Sequence, residues 1–349
     1  MSSYRKKFRN GRDNMPTIRD IANAAGVSPS TVSKALRGGT DLNFETIALV
    51  RETAVKLGYD FKQLHSKVSN SNIIGVVCME LKSEYYGGIF NVFKQHMEEA
   101  GYRIITMMTD FDSVEKQQEC IEYLLRCRVS GILYLTEAVF DIEPLRETVM
   151  ETGISFVMIT QMDLIDFCDT ISVNHALGVQ MAVDHLFKMG HRRIAFVGET
   201  NTQAREHAFG EMVERLGLDS SDSSIVVVHG SRYCQGGYEA GKRLMALPPE
   251  SRPTACFAAY DSMAYGVMRA VREAGLNIPE DFSIVGVDNN QVSEYMQPAL
   301  SSVEMPITDL GQMAAEMMLE RIKGDKLPYR MVYLSPRLCI RDSAVEINK

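Results

Sequence analysis

Between residues 17 and 57 apolar positions recur at helical spacing in three short groups. Ile18, Ile21, Ala22 and Ala25 make one face of a first helix, and Val32, Ala35 and Leu36 one face of a second. Gly26 stops the first, because glycine adopts the left-handed conformation of a helix end without a Cβ clash. Ser28 is placed to cap the second, with Pro29 in its first turn. A third helix runs from about Asn43, a capping candidate, to Leu57, with Phe44, Ile47, Val50, Ala54 and Leu57 as its buried stripe. Two short helices joined across Gly26-Val27-Ser28 make a helix-turn-helix. Ser30, Thr31, Ser33 and Lys34 are left on the outside of the second helix, a slim face of hydroxyls and one cation suited to a DNA major groove. The competing reading is an ordinary helical corner that touches no nucleic acid.

Residues 60–72 are polar and weakly patterned, a linker. Beyond them short apolar runs alternate with helical spacing: strands at Ile73–Met79, Arg103–Met108, Gly131–Leu135 and Ser155–Thr160, the first three each followed by a helix. A second series starts near Thr170, with strands at Arg193–Val197, Ile225–His229, Ala255–Ala259 and Ser283–Val287. Alternation of this kind builds parallel sheets with helices on both faces. Two such α/β, Rossmann-like lobes in succession form a clamp, and a ligand cleft is expected where the carboxyl ends of their strands face each other.

Composition sharpens this picture in two ways. The net charge of −8 divides unevenly: residues 1–70 hold 12 Lys and Arg against 6 Asp and Glu, a net of +6, and the remainder a net of −14. A basic head on an acidic body fits a DNA-binding module joined to a regulatory one, and residues 1–14 read as a basic disordered tail. The seven cysteines are scattered without a CxxC pair, as buried free thiols of a reducing compartment are. No apolar run reaches the ~20 residues of a membrane helix, so the expected location is the cytoplasm. No GxSxG elbow, P-loop, HExxH or GxGxxG is present, so neither an enzyme, a cofactor nor a metal is expected. His191, in GHRR, is expected to cap a helix end.

The string TIRDIA-AGVS-STVSKAL resembles the head of the lactose-repressor (LacI/GalR) family of bacterial transcription regulators. LGY at Leu57–Tyr59, IIGVV at Ile73–Val77, HL and GHRRIAFVG within His185–Gly198, and SIVGVDN at Ser283–Asn289 follow in that family's order. The resemblance implies a helix-turn-helix headpiece over 15–59, a hinge over 60–72 and a periplasmic-binding-protein-like body over 73–349. It further implies that the chain crosses between the lobes three times. The first lobe would then take about 73–170 and 303–328, and the second about 171–302 and 329–349. It also implies a homodimer on a pseudo-palindromic double-stranded operator, one half-site per subunit. Candidate DNA-facing residues are Thr17, Arg19, Ser28, Pro29, Ser30, Thr31, Ser33 and Lys34, the last where relatives often carry Arg. In relatives the hinge carries N-x-x-A-x-x-L, and its wedge position falls here on Val68.

Ligand contacts are expected from strand ends. Asp288 ends the strand SIVGV and Arg205 opens the helix after RIAFVG, so a carboxylate and a guanidinium fork would share the cleft. Tyr85 and Tyr86 offer a stacking face after the first strand. The family pattern places its effector-binding Arg at Arg205 and its first Asp of VG(F/Y)DD at Asp288. The chain departs from that pattern at Tyr260-Asp261, where relatives have Asn-Asp, at Ala208, and at Thr160-Gln161; Asn201 completes the candidate set. The expected function is a ligand-responsive transcriptional repressor whose effector is a sugar or related metabolite. A small-molecule binding protein is the rival, and it leaves residues 17–57 without a use.

Overall fold

The computed structural model describes residues 16–36, 42–57, 59, 71–109, 114–136, 142–162, 165–218, 224–228 and 232–347. The basic tail over 1–14, the candidate hinge up to residue 70, and Val68 with it, lie outside the described residues.

Among the described residues the headpiece has three helices: α1 (Ile18–Ala25), α2 (Pro29–Leu36) and α3 (Phe44–Leu57). Thr17 opens α1 with a capping box: its hydroxyl accepts from Asp20 N, and its own N–H donates to Asp20 Oδ2 at 2.7 Å. Gly26 ends the helix at φ +69°. Ser28 and Asn43 cap the other two, accepting from Thr31 N at 3.0 Å and Thr46 N at 2.8 Å. Ile21, Val32, Ala35, Val50 and Ala54 are fully buried at the centre. Leu57 departs from the expected stripe and is 41% exposed. The 14 residues of α3 are longer than either of the two 8-residue helices packed on it. Tyr59 turns back instead, donating its N–H to Ala54 O and packing on the cluster.

The body alternates strand and helix in the order β1 (Ile73–Cys78), α4 (Glu84–Glu99), β2 (Arg103–Met108), α5 (Val114–Arg126), β3 (Gly131–Leu135), α6 (Glu143–Thr152), β4 (Ser155–Ile159) and β5 (Asp169–Val173). It continues with α7 (His175–Lys188), β6 (Ile194–Glu199), α8 (Gln203–Arg215), β7 (Ser224–Val228), α9 (Tyr233–Met245), β8 (Ala255–Ala258), α10 (Asp261–Glu273) and β9 (Ser283–Asp288). Last come β10 (Ser301–Glu304), α11 (Ile307–Ile322), β11 (Met331–Leu334) and β12 (Arg337–Cys339). One sheet has the order β11-β5-β4-β3-β1-β2 and is parallel throughout. The other has the order β12-β10-β9-β8-β6-β7, with β12 antiparallel to β10 and the rest parallel.

The chain does pass between the sheets three times, but two of the passages lie elsewhere than expected. β5, which the pattern near Thr170 assigns to the second series, closes the first sheet, so the first passage follows Val173. β11 pairs with β5 in the first sheet and not the second, so the third passage is the short turn between Leu334 and Arg337. The reason is Asp169, fully buried at the start of β5. It binds Arg321 through both oxygens at 2.8 Å and accepts Arg330 N at 2.8 Å, which draws the segment leading into β11 onto β5.

Two glycines set the geometry of the second lobe. A Cβ on Gly237 of α9 would fall against the backbone of Met263, and one on Gly266 of α10 against Cys234 O. The two helices therefore touch backbone to backbone close to their first residues, Tyr233 and Asp261.

His191 does not cap a helix with its side chain. It is buried and bridges two segments, with Nε2 3.2 Å from Val345 O and Nδ1 2.9 Å from the Thr254 hydroxyl. The Val345 carbonyl requires Nε2 to donate, while the Thr254 hydroxyl can pair with Nδ1 in either role, so it is burial that keeps the ring neutral. Burial lowers its pKa to about 4, against the opposing pull of the Val345 carbonyl. The folded value lies below the ordinary 6.5, so the unfolded chain binds the proton first. Stability from this group is present above pH 6.5 and is lost as the pH falls towards 4. His191→Gln is expected to flatten the stability–pH curve over that window by about 2–3 kcal/mol. Urea titrations at pH 7 and pH 4.5 measure it; parallel curves for parent and variant would refute the assignment.

Candidate functional site

The carboxyl ends of both sheets converge on a cleft between the lobes, enclosing a cavity of about 170 Å³. Tyr85, Tyr86 and Gln161 reach it from the first lobe, and Arg205, Tyr260 and Asp288 from the second. Six of the eight expected ligand residues therefore line one space. Thr160 and Asn201 do not. Thr160 is buried at the end of β4, where its hydroxyl accepts Met162 N at 3.1 Å and turns the chain so that Gln161 faces the cavity. Asn201 is exposed in a 3₁₀ turn, its N–H held by Glu199 Oε2 at 3.0 Å.

Arg205 is 6% exposed, on the first turn of α8. Its guanidinium donates to His175 Nδ1 at 3.2 Å and lies 5.0 Å from the Tyr260 ring centre. Burial, helped by the Arg205 charge, holds the His175 pKa well below its ordinary value. The ring is therefore neutral and able to accept.

Arg232 and Tyr233 line the cavity without having been expected. Arg232 donates to the Tyr260 hydroxyl at 3.0 Å, which in turn donates to buried Glu199 at 3.3 Å. Their signal was available: both follow the strand ending near residue 228, and the strand-end rule applied there selects them. His175 and Glu199 carry no comparable signal, because each acts by holding a neighbour that faces the cavity.

Asp288 and Asn289 both have left-handed backbone, at φ +106° and +53°, an unfavourable conformation for residues with a Cβ. The bend is held from behind. Asn289 N donates to Ser302 Oγ at 3.0 Å, and Arg341 donates to the Asn289 side chain at 2.6 Å. Asp261, fully buried, accepts Asn290 N at 2.9 Å and the hydroxyls of Ser293 and Ser302 at 2.5 and 2.6 Å. Its burial still pushes its pKa up to about 6. The Asp of Tyr260-Asp261 is thus the anchor of the loop that presents Asp288, and Tyr260 takes the cavity-facing place.

In the headpiece Arg19, Ser28, Pro29, Ser30 and Lys34 are exposed, and Thr31 and Ser33 are half-buried. Thr17 and Ser28 also serve as caps, and Ser28 Oγ lies 2.7 and 2.8 Å from the hydroxyls of Ser30 and Thr31. The hydroxyl row along the start of α2 is therefore internally ordered. Among the described residues no helix is long and apolar enough to cross a membrane.

A helix-turn-helix headpiece carried on a two-lobed body with a polar cleft defines a DNA-binding regulator switched by a small molecule. Residues 17–60 match the family of bacterial regulatory proteins, lacI family, and residues 183–344 match the periplasmic binding protein-like domain. The ribose operon repressor of Escherichia coli (strain K12) is 29% identical over 95% of this chain and 100% of its own. A LacI family transcriptional regulator from Enterococcus faecium with bound ribose superposes with a TM-score of 0.70 at 26% identity, over 79% of this chain and all of its own. The lac repressor dimer bound to operator and the anti-inducer ONPF shares the fold at a TM-score of 0.70 and 22% identity, covering 95% of this chain and 100% of its own. The chain carries a LacI-family helix-turn-helix domain and a periplasmic-binding-protein-like domain. It is a ligand-responsive DNA-binding transcriptional repressor.

Proposed function

We propose that this chain acts in the cytoplasm as a homodimer on an operator of two inverted half-sites, and that its effector is a single-ring, polyhydroxylated molecule held by Arg205 and Asp288. The observation that carries the ligand class is the cavity itself. About 170 Å³ admits one ring, with the guanidiniums of Arg205 and Arg232 and the Asp288 carboxylate from the second lobe and tyrosine rings from both. A fork donor and a carboxylate acceptor suit vicinal hydroxyls, and the tyrosine faces suit the C–H side of a sugar. The ribose named for two of the relatives has this chemistry and size, which makes pentoses the first candidates. No catalytic role is assigned to these residues.

Binding that favours one lobe arrangement changes operator affinity, and by linkage the operator changes effector affinity by the same factor. A thermal-shift series on the full chain with ribose, other pentoses, hexoses and nucleobases tests the ligand class. A shift with a nucleobase and none with any monosaccharide would overturn it.

On the DNA side, Ser30 and Lys34 are the exposed polar positions of α2 and are assigned to the major groove and its phosphates, with Thr31 and Ser33 beside them. Lysine supplies a point charge in place of arginine's bidentate fork. Lys34→Ala is expected to weaken operator binding by about 1–3 kcal/mol without altering the effector-induced thermal shift. Equal operator affinity of parent and variant across a salt titration would remove Lys34 from the interface.

A further inference from the structure

The mouth of the cleft is bridged by bonds between the lobes that involve no ligand atom. The Tyr233 hydroxyl of the second lobe donates to Glu80 Oε2 of the first, and Lys82 Nζ lies 4.6 Å from the Tyr233 ring centre. Nearby, Gln291 N of the second lobe donates to Glu84 Oε2 of the first at 2.9 Å. Tyr233 holds this position from a left-handed backbone, φ +67°, which a tyrosine adopts only when its surroundings over-determine it. The preceding residue, Arg232, is bonded to the Tyr260 hydroxyl in the cavity floor. Floor and mouth are therefore joined by a single peptide unit.

We propose that Tyr233 is a latch that holds the two lobes together across the cleft, so that closure is set by a bond of the protein as well as by its effector. Taking the cleft as the effector site rests on the function proposed above; the latch itself does not. A hydroxyl bonded to a carboxylate is among the stronger hydrogen bonds. It stabilises only the arrangement in which Glu80 and Tyr233 meet, so it biases the open–closed equilibrium at every effector concentration. An effector that needs the closed form then binds with an apparent affinity scaled by the fraction already closed. A ligand that shifts Arg232 through Tyr260 acts directly on the residue next to the latch.

Hydrogen exchange of the full chain without added ligand provides the test. Gln291 N–H, itself bonded across the cleft but far from Tyr233 in sequence, is the reporter, and the amides of β8 are the control. Tyr233→Phe removes the hydroxyl and keeps the ring and its stacking on Lys82. It is expected to speed exchange at Gln291 about tenfold while β8 is unchanged. Glu80→Gln should act in the same direction, and the double variant should go little further than either alone. Should Tyr233→Phe also loosen β8, Glu80→Gln reads the same bond from the other lobe. Unchanged exchange at Gln291 in both variants, or effects that simply add, would overturn the latch. Failure of every sugar to bind would overturn the proposed effector and leave this result standing.

Discussion

Replacement of Asp169 by alanine is expected to lower the stability of the body by about 3–5 kcal/mol, the range for removing one partner from a buried ion pair. Asp169 is fully buried and accepts two bonds from Arg321, while Arg330 donates to it from both backbone and side chain. The Arg321 side chain is 8% exposed and would keep the carbonyls of Leu327 and Pro328 but lose its counter-charge. Burial alone would raise the carboxyl pKa of Asp169, yet the hydrogen bonds from Arg321 and Arg330 outweigh it and hold the value below 3.8. A depressed folded pKa gives stability that is complete above about pH 4 and is lost as the pH falls through the folded value. The network also ties α11 and the approach to β11 onto β5, close to the passages between lobes. Asp169→Asn, which keeps the volume, should recover part of the loss. Urea unfolding of parent and variants at pH 7 decides the matter; a difference under about 0.5 kcal/mol, the scatter of an ordinary surface change, would show that the network is not structural.

Arg205→Ala is expected to remove the effector response, with apparent affinity falling at least a hundredfold, about 3 kcal/mol for a charged hydrogen-bonding group lost from a buried site. The guanidinium is oriented by His175 and by the Tyr260 ring before any ligand arrives. Arg205→Lys should recover little, since a point charge cannot repeat a planar fork. Asp288→Ala should have a comparable effect from the other side of the cavity. Operator binding in the absence of effector should stay at the parent level in all three, because none lies in the headpiece. Isothermal titration with the ligand found by thermal shift, beside gel mobility on the operator, separates these outcomes. A variant that binds ligand as the parent does would free its residue from the site.

What was legible in the sequence was what local periodicity and capping encode. The helix-turn-helix, with Gly26 and Ser28 as its punctuation, and the alternating strands and helices need only short-range rules, because a helix face or a buried strand is written in consecutive residues. Arg205, Asp288, Tyr85 and Tyr86 were also within reach, since in a parallel α/β sheet the residues after each strand share one rim. Tertiary structure decided the rest. β11 belongs to the first sheet because Asp169 meets Arg321 and Arg330, partners more than 150 positions away. Thr160 turns under while Gln161 faces the cavity, a one-residue difference that depends on where β4 ends. His175, Glu199 and Asp261 act on Arg205, Arg232 and the Asp288 loop through distances that no sequence pattern records. Sequence fixes which faces must be buried; which distant polar group satisfies another buried one is settled only when the chain has closed around both.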